Sequence, residues 1–223
     1  MDWTAPIDSY CERLDASFWA EPVNALTNAA FLLAALVMAG RLKGAGLPLG
    51  WALVGLLGAI GAGSFLFHTF AVRWAALADT LPILGFILVY LFAATRDYFG
   101  AGWKLAALAV AGFFPYAAAT VPLFGLIPGL GASAGYAPVP LLIAIYAFLL
   151  RRRSPATARG LGLGAGLLAL SIAFRALDAP LCGAVPFGTH FLWHLTNALM
   201  LGWMIEVYRR HRARVGASGV GPA

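Results

Sequence analysis

The stretch WALVGLLGAIGAGSFLFHTF, residues 51–70, runs for twenty positions without a Lys, Arg, Asp or Glu. About 20 apolar residues in a helix cross the hydrocarbon core of a bilayer, so this segment reads as a membrane span. The rest of the chain agrees with it. Of 223 residues 61% are hydrophobic and 11% charged, with a mean hydropathy of +0.83. An ordinary soluble domain is about a quarter charged. The chain therefore lacks the polar surface that a soluble globule needs, and a separate soluble domain is excluded.

Working outward, hydrophobic stretches bounded by charge, Gly or Pro place further spans at 24–40, 74–95, 103–121, 134–150, 160–177 and 189–207. The expectation is an all-α, polytopic integral membrane protein of seven helices, one domain over 1–223. Residues 1–23 form an acidic outer arm, 24–208 the spans, and 209–223 a basic cytoplasmic tail. Pro115, Pro122, Pro128, Pro138 and Pro140 crowd the fourth and fifth spans, a disturbance that neighbouring helices can absorb. The run GLGLGAGLLAL at 160–170 is expected to allow close helix packing.

The net charge of +6 does not point to nucleic acid, because the basic residues lie in short runs between spans. In an alternating seven-span order Arg41, Lys43, Arg96, Lys104, Arg151, Arg152, Arg153, Arg159, Arg209, Arg210, Arg212 and Arg214 share one side, and Arg13, Arg73 and Arg175 the other. Positive charge marks the cytoplasmic face, so the N-terminus is expected outside and the C-terminus inside. The first 23 residues carry Asp2, Asp8, Glu12, Asp15 and Glu21 and lack a basic region followed by an apolar core; they do not read as a cleavable leader.

Ionisable residues inside such spans are expensive and each is a functional candidate. His68 lies in the second span; His190 and His194, four apart, share one face of the seventh. Ser64 and His68 repeat that spacing, and Asp79 opens the third span. The alternating topology brings all of them to a similar depth near the outer face. Three neutral imidazoles beside a carboxylate suit a tetrahedral zinc with an open position; a lone histidine would more simply bond between helices. HxxxH without a Glu in between is not the metalloprotease signature. Arg175 and Asp178 are expected to pair with each other or reach the interface, and His211 sits in the basic tail.

SxxxH at Ser64 to His68, Asp79 eleven residues later, and HxxxH at His190 to His194 together resemble the alkaline ceramidase family, within a superfamily of seven-span hydrolases and adiponectin-type receptors. IDSYCERLDASFWAEPVNALTN, residues 7–28, looks like the bacterial branch. The resemblance implies a catalytic zinc on His68, His190 and His194, with Ser64 and Asp79 close to the reacting water. It also implies hydrolysis of a ceramide or another N-acyl lipid to a sphingoid base and a fatty acid, and a bacterial inner membrane with the site toward the outer face. Asn197, three residues past His194, either orients a ligand or packs between helices.

The acidic arm is either solvated or a site for a hard cation, since calcium takes six to eight oxygens. The resemblance implies a calcium site here, with Asp8, Glu12 and Glu21 as the main ligands, Asp15 a further one and Asn24 beside Glu21. One extra residue between Asp8 and Cys11, and Leu14 or Asp15 where the family carries Asn, depart from the pattern. Cys11 and Cys182 both fall on the outer side, which permits a disulfide or leaves two thiols. A heptahelical lipid receptor or sensor with a structural metal is the alternative to an enzyme. A retinal protein needs an intramembrane lysine, and Lys43 and Lys104 belong to inner loops.

Overall fold

A computed structural model describes residues 2–217, in which every regular element is helical. The order is α1 (Pro22–Thr27), α2 (Ala29–Leu42), α3 (Pro48–Phe70), α4 (Arg73–Phe99), α5 (Trp103–Gly125), a 3-10 turn (Gly131–Gly135), α6 (Pro138–Leu150), α7 (Pro155–Leu181) and α8 (His190–Ala217). Four of these begin on proline. At the first helical position the missing N–H has no intrahelical partner to lose, and the ring fixes a helical φ.

Six stretches, Pro22–Leu42, Pro48–Phe70, Arg73–Phe99, Trp103–Gly125, Gly131–Leu150 and Pro155–Leu181, are long and apolar enough to cross a membrane. The seventh expected span lies in α8, 28 residues long, whose apolar run is broken by His190, His194, Asn197 and Glu206. Three of these four, His190, His194 and Asn197, are candidate site residues, so the candidates themselves lower the hydropathy of the helix.

The helices depart from the expected boundaries for local reasons. The first span is divided at Asn28, whose side-chain amide donates to Asn24 O at 2.9 Å. Its backbone N–H goes to Ala25 O instead, so the side chain displaces the regular ladder. Helix α5 continues through Pro115 and Pro122 to Gly125. The next helix starts at Pro138, later than expected, and 131–135 form the 3-10 turn. Helix α8 extends ten residues past the expected 207 to Ala217. Its last turns are held by Glu206 with Arg209 and Arg210, by Arg212 on Asp97 at 2.9 Å, and by His211 on Thr157 at 2.9 Å. The first part of the expected tail is thus docked helix; residues 218–223 of it lie outside the described residues.

Helix α3 packs along α4, α7 along α8, α6 on α7, and α2 between α3 and α8. Helix α5 lies at the margin, with only Ala106 and Phe113 buried. Leu36, Leu108, Leu123, Phe148 and Leu199 are each more than half exposed, an apolar exterior that a soluble monomer does not present. Hydrocarbon around that exterior removes much of the hydrophobic gain from helix association, leaving close packing as the main force. Gly160 and Gly164, one turn apart, meet Val207 and Met204 of α8, whereas Gly162 and Gly166, each two residues further on, face open space. The glycine-rich run packs on one face, as its sequence suggests.

The two ends of the bundle differ in charge. Arg41 reaches Glu206 at 3.2 Å, Arg212 reaches Asp97, and Arg153 caps Phe99 O at 3.0 Å, so the ends of α2, α4, α6 and α8 meet in one basic layer. The turn between α3 and α4, with His68, lies at the other end.

Candidate metal centre

The last turn of α3 supplies His68, and the first two turns of α8 supply His190 and His194. All three are buried, at 0%, 2% and 0% exposure. Their ring centroids are 5.1, 4.7 and 4.6 Å apart for the pairs 68–190, 68–194 and 190–194. One ligand nitrogen from each lies within 4.8 Å of the other two, so the triad can hold a metal ion. Among the described residues no other group of three or more His, Cys, Asp or Glu is so placed.

The hydrogen bonds of these rings test whether a metal fits. His68 Nδ1 lies 2.6 Å from Glu21 Oε2. A carboxylate only accepts, so Nδ1 carries the proton and Nε2 presents its lone pair. His194 Nδ1 lies 2.9 Å from Thr27 Oγ1, whose single proton goes to the carbonyl of Val23 at 2.8 Å or Asn24 at 3.1 Å. The hydroxyl can then only accept from the imidazole, and again Nε2 is the free base. His68 Nε2, His194 Nε2 and His190 Nδ1 are buried without any hydrogen-bond partner. An orphaned buried polar atom costs about 1–3 kcal/mol, and one on each of three neighbouring rings fits a cation with nitrogen ligands. Ligand histidines commonly have their second nitrogen tied in this way.

Helix α8 is aimed at the site by Asp178. Its Oδ1 accepts the N–H groups of Thr189 at 2.7 Å and His190 at 2.9 Å, and its Oδ2 accepts Cys11 N at 2.9 Å. The carboxylate satisfies amides at the helix start and complements its dipole. Gly188 precedes this turn with φ +66°, and a Cβ there would run into Asp178 and Cys11. The expected bond between Cys11 and Cys182 is formed and ties the arm to the end of α7.

The pairing of Arg175 with Asp178 is not formed. Asp178 is committed to backbone amides, and Arg175 donates to Ser133 Oγ at 2.9 Å and Tyr10 OH at 3.3 Å, with its guanidinium 5.1 Å from the Tyr136 ring centre. Tyr10 in turn stacks on His190, centroids 3.7 Å apart, and covers the triad from the arm side. Burial pushes its phenol well above the usual range, so the hydroxyl keeps its proton.

Ser64 and Asp79 meet beside His68. Gly63 makes this approach possible, because a Cβ at that position would overlap the Ala78 carbonyl and touch Asp79 N. The Ser64 hydroxyl faces the Asp79 carboxylate, which is also within electrostatic reach of His68 and Arg175. Asn197 is buried with Oδ1 unpaired, and it lines an apolar cavity with Ile83, Tyr90, Leu142, Leu168, Trp193 and Met200. Its lining on α8 runs from Trp193 to Met204, roughly 16 Å at the helical rise.

Two of the arm carboxylates expected to bind calcium are engaged by other groups. Both oxygens of Glu12 accept backbone amides at the start of α1, Val23 N at 2.6 Å and Asn24 N at 2.8 Å. Glu21 is divided between Arg13 Nε at 2.6 Å and His68, with Asn24 Nδ2 at 3.3 Å. Burial raises the cost of the Glu21 charge, but the bonds from His68 and Arg13 outweigh it and hold the carboxyl below its usual range. Asp8 and Asp15 are exposed, and Asp15 accepts Ser17 N at 2.7 Å.

Spacing arguments bring together Ser64, His68, Asp79, His190 and His194 but do not reach Thr27, Tyr10 or the role of Glu21 behind His68. The only sequence signal for these is the density of polar residues at the mouth of the first span. Comparison of the chain with protein-family models and with curated proteins returns no match.

Proposed function

We propose that the chain is a zinc-dependent intramembrane amide hydrolase that cleaves ceramide or a related N-acyl lipid into a sphingoid base and a free fatty acid. One observation carries this reading: three buried histidines, each with an unpartnered ring nitrogen, lie close enough together to share a metal ion, with the Asp79 carboxylate and the Ser64 hydroxyl near His68. His68, His190 and His194 would hold the ion. Zinc bound there supplies acidification of water and Lewis-acid polarisation of a carbonyl.

The chain's own residues do the rest. Asp79 takes the proton of the attacking water on its carboxylate and returns it to the leaving amine. The Ser64 hydroxyl turns its single proton from Asp79 to the carbonyl oxygen as negative charge develops. The apolar cavity along α4 and α8, with Asn197 in its lining, would take the acyl chain.

Seven spans are part of the proposal, with α8 as the seventh. Positive charge gathers at the layer of Arg41, Arg153 and Arg212, so that end faces the cytoplasm of a bacterial inner membrane and the histidines face outward. The similarity to bacterial ceramidases in residues 7–28 supports the same reading.

A lipid receptor or sensor with a structural metal is the second reading, favoured by the complete burial of the triad under Tyr10. Zinc analysis of purified protein, coupled to mass spectrometry of lipid products, separates the two. About one zinc per chain with fatty-acid release that is lost in His194→Ala supports the hydrolase. Wild-type protein that binds zinc yet releases no fatty acid from any N-acyl lipid selects the receptor.

A further inference from the structure

We propose that Arg13 is a resident cation of the arm, doing with its guanidinium what a bound calcium ion would otherwise do, so that the site needs no calcium. The inference rests on the triad being a metal site and does not depend on hydrolysis.

Arg13 is buried, with its side chain 6% exposed, and its ion-pair partner Glu21 is 3% exposed. Its donors reach oxygens from three different segments. Nε gives 2.6 Å to Glu21 Oε1 at the mouth of the first span, Nη1 gives 3.1 Å to Asp15 O in the arm, and Nη2 gives 3.0 Å to His68 O at the end of α3. A calcium ion collects carboxylate and carbonyl oxygens from separate segments in the same way. The planar, permanently charged guanidinium does it with directed bonds.

The carboxylates leave little for a second cation. Glu21 Oε1 is on Arg13 and Oε2 on His68 and Asn24, while both Glu12 oxygens are on backbone amides. Asp8 and Asp15 stay at the surface. A calcium ion at Glu21 would have to displace the guanidinium, leaving a buried positive group beside it, and two such charges repel.

Arg13 grips His68 from two directions. It accepts the charge of the carboxylate that holds Nδ1, and it binds the carbonyl of the same residue, where a cation also complements the negative end of the α3 dipole. It is therefore a positioning residue for the metal ligand, acting through Glu21 and the backbone.

The test uses the purified full-length protein in detergent, stripped of calcium with a calcium-selective chelator and then titrated with calcium chloride. Wild type is expected to hold no stoichiometric calcium by elemental analysis at millimolar concentration and to show no shift in its unfolding midpoint. Arg13→Met should weaken zinc binding about 10- to 100-fold in competition with a chromophoric chelator and alter the visible spectrum of the cobalt(II)-substituted site. Arg13→Lys, which keeps the charge without the fork, should recover part of both. One calcium per wild-type chain with a raised midpoint would overturn the proposal, as would Arg13→Met with unchanged zinc affinity and cobalt spectrum. If Arg13→Met does not fold, the wild-type calcium titration still decides. Each readout is independent of lipid turnover, so failure here is distinct from failure of the hydrolase reading.

Discussion

Thr27 Oγ1 and His194 Nδ1, 167 positions apart in the chain, form a 2.9 Å hydrogen bond. That bond and the one from His68 to Glu21 fix which nitrogen of each ring is left as a base. The first span and the residue at its mouth, neither part of the triad, thus set the tautomer of two histidines on other helices.

Thr27→Val removes the acceptor while keeping the shape, and Glu21→Gln removes the charge behind His68. Each is expected to weaken zinc binding by about 10- to 100-fold, with Glu21→Gln the larger because a charge-assisted bond is lost. Competition with a chromophoric chelator measures both. Unchanged affinity in the two variants would remove these residues from the site's support.

Asp79→Asn is nearly isosteric and leaves the three imidazoles in place. Zinc content and unfolding midpoint should stay close to wild type, while turnover of an N-acyl lipid falls by about 10²- to 10⁴-fold. Ser64→Ala should cost about 10²-fold or more if its hydroxyl serves the oxyanion. Steady-state fatty-acid release reads both, and an active Asp79→Asn would reassign the base.

Gly63→Ala places a methyl against the Ala78 carbonyl, and backbone cannot move aside as a side chain does. A loss of about 1–3 kcal/mol is expected, together with lower turnover as Ser64 and Asp79 separate. Gly162→Ala meets nothing within 4 Å and should be neutral or slightly stabilising. Thermal unfolding in one detergent compares the pair; equal effects would refute the close-approach argument.

Asp178→Ala strips the acceptor from three backbone amides. Loss of a helix cap alone costs about 0.5–2 kcal/mol, and the stranded Cys11 amide adds to it. Reducing the Cys11–Cys182 bond should cost about 2–5 kcal/mol. Both changes should loosen zinc as well, since they free the start of α8. Unfolding midpoints and zinc retention, with and without reductant, check this.

A reporter fused at the C-terminus should behave as cytoplasmic, and a cysteine introduced at Ala5 should react with an impermeant label from outside. The reverse pattern would invert the proposed orientation and put the histidines on the inner side.

Hydropathy alone makes six spans legible, and α3 ends at Phe70 as its sequence suggests. It does not register the break at Asn28, where a side-chain amide competes with the ladder, or the extension of α8, which depends on Asp97 and Thr157 from other helices. The catalytic candidates are legible because an ionisable group in an apolar span stands out against its background. Arg175 and Asp178 stand out equally, but three residues of spacing say only that they can meet; the amides of α8 compete for Asp178 and win. Glu21 is visible as an acid at a helix mouth, yet its partner is forty-seven positions away, and no local pattern reveals whether that partner is a metal, an arginine or a histidine.

The triad is divided unevenly along the chain, with one ligand at position 68 and two beyond position 189. During synthesis a nascent chain that has inserted everything up to α7 presents only one of the three imidazoles. Assembly of the triad therefore can only follow insertion of the last helix, whereas Cys182, one residue past α7, is already there for Cys11. Chains that end before the last helix would lack two of the three histidines, whether or not the disulfide has closed, so the complete triad is a record of complete translation.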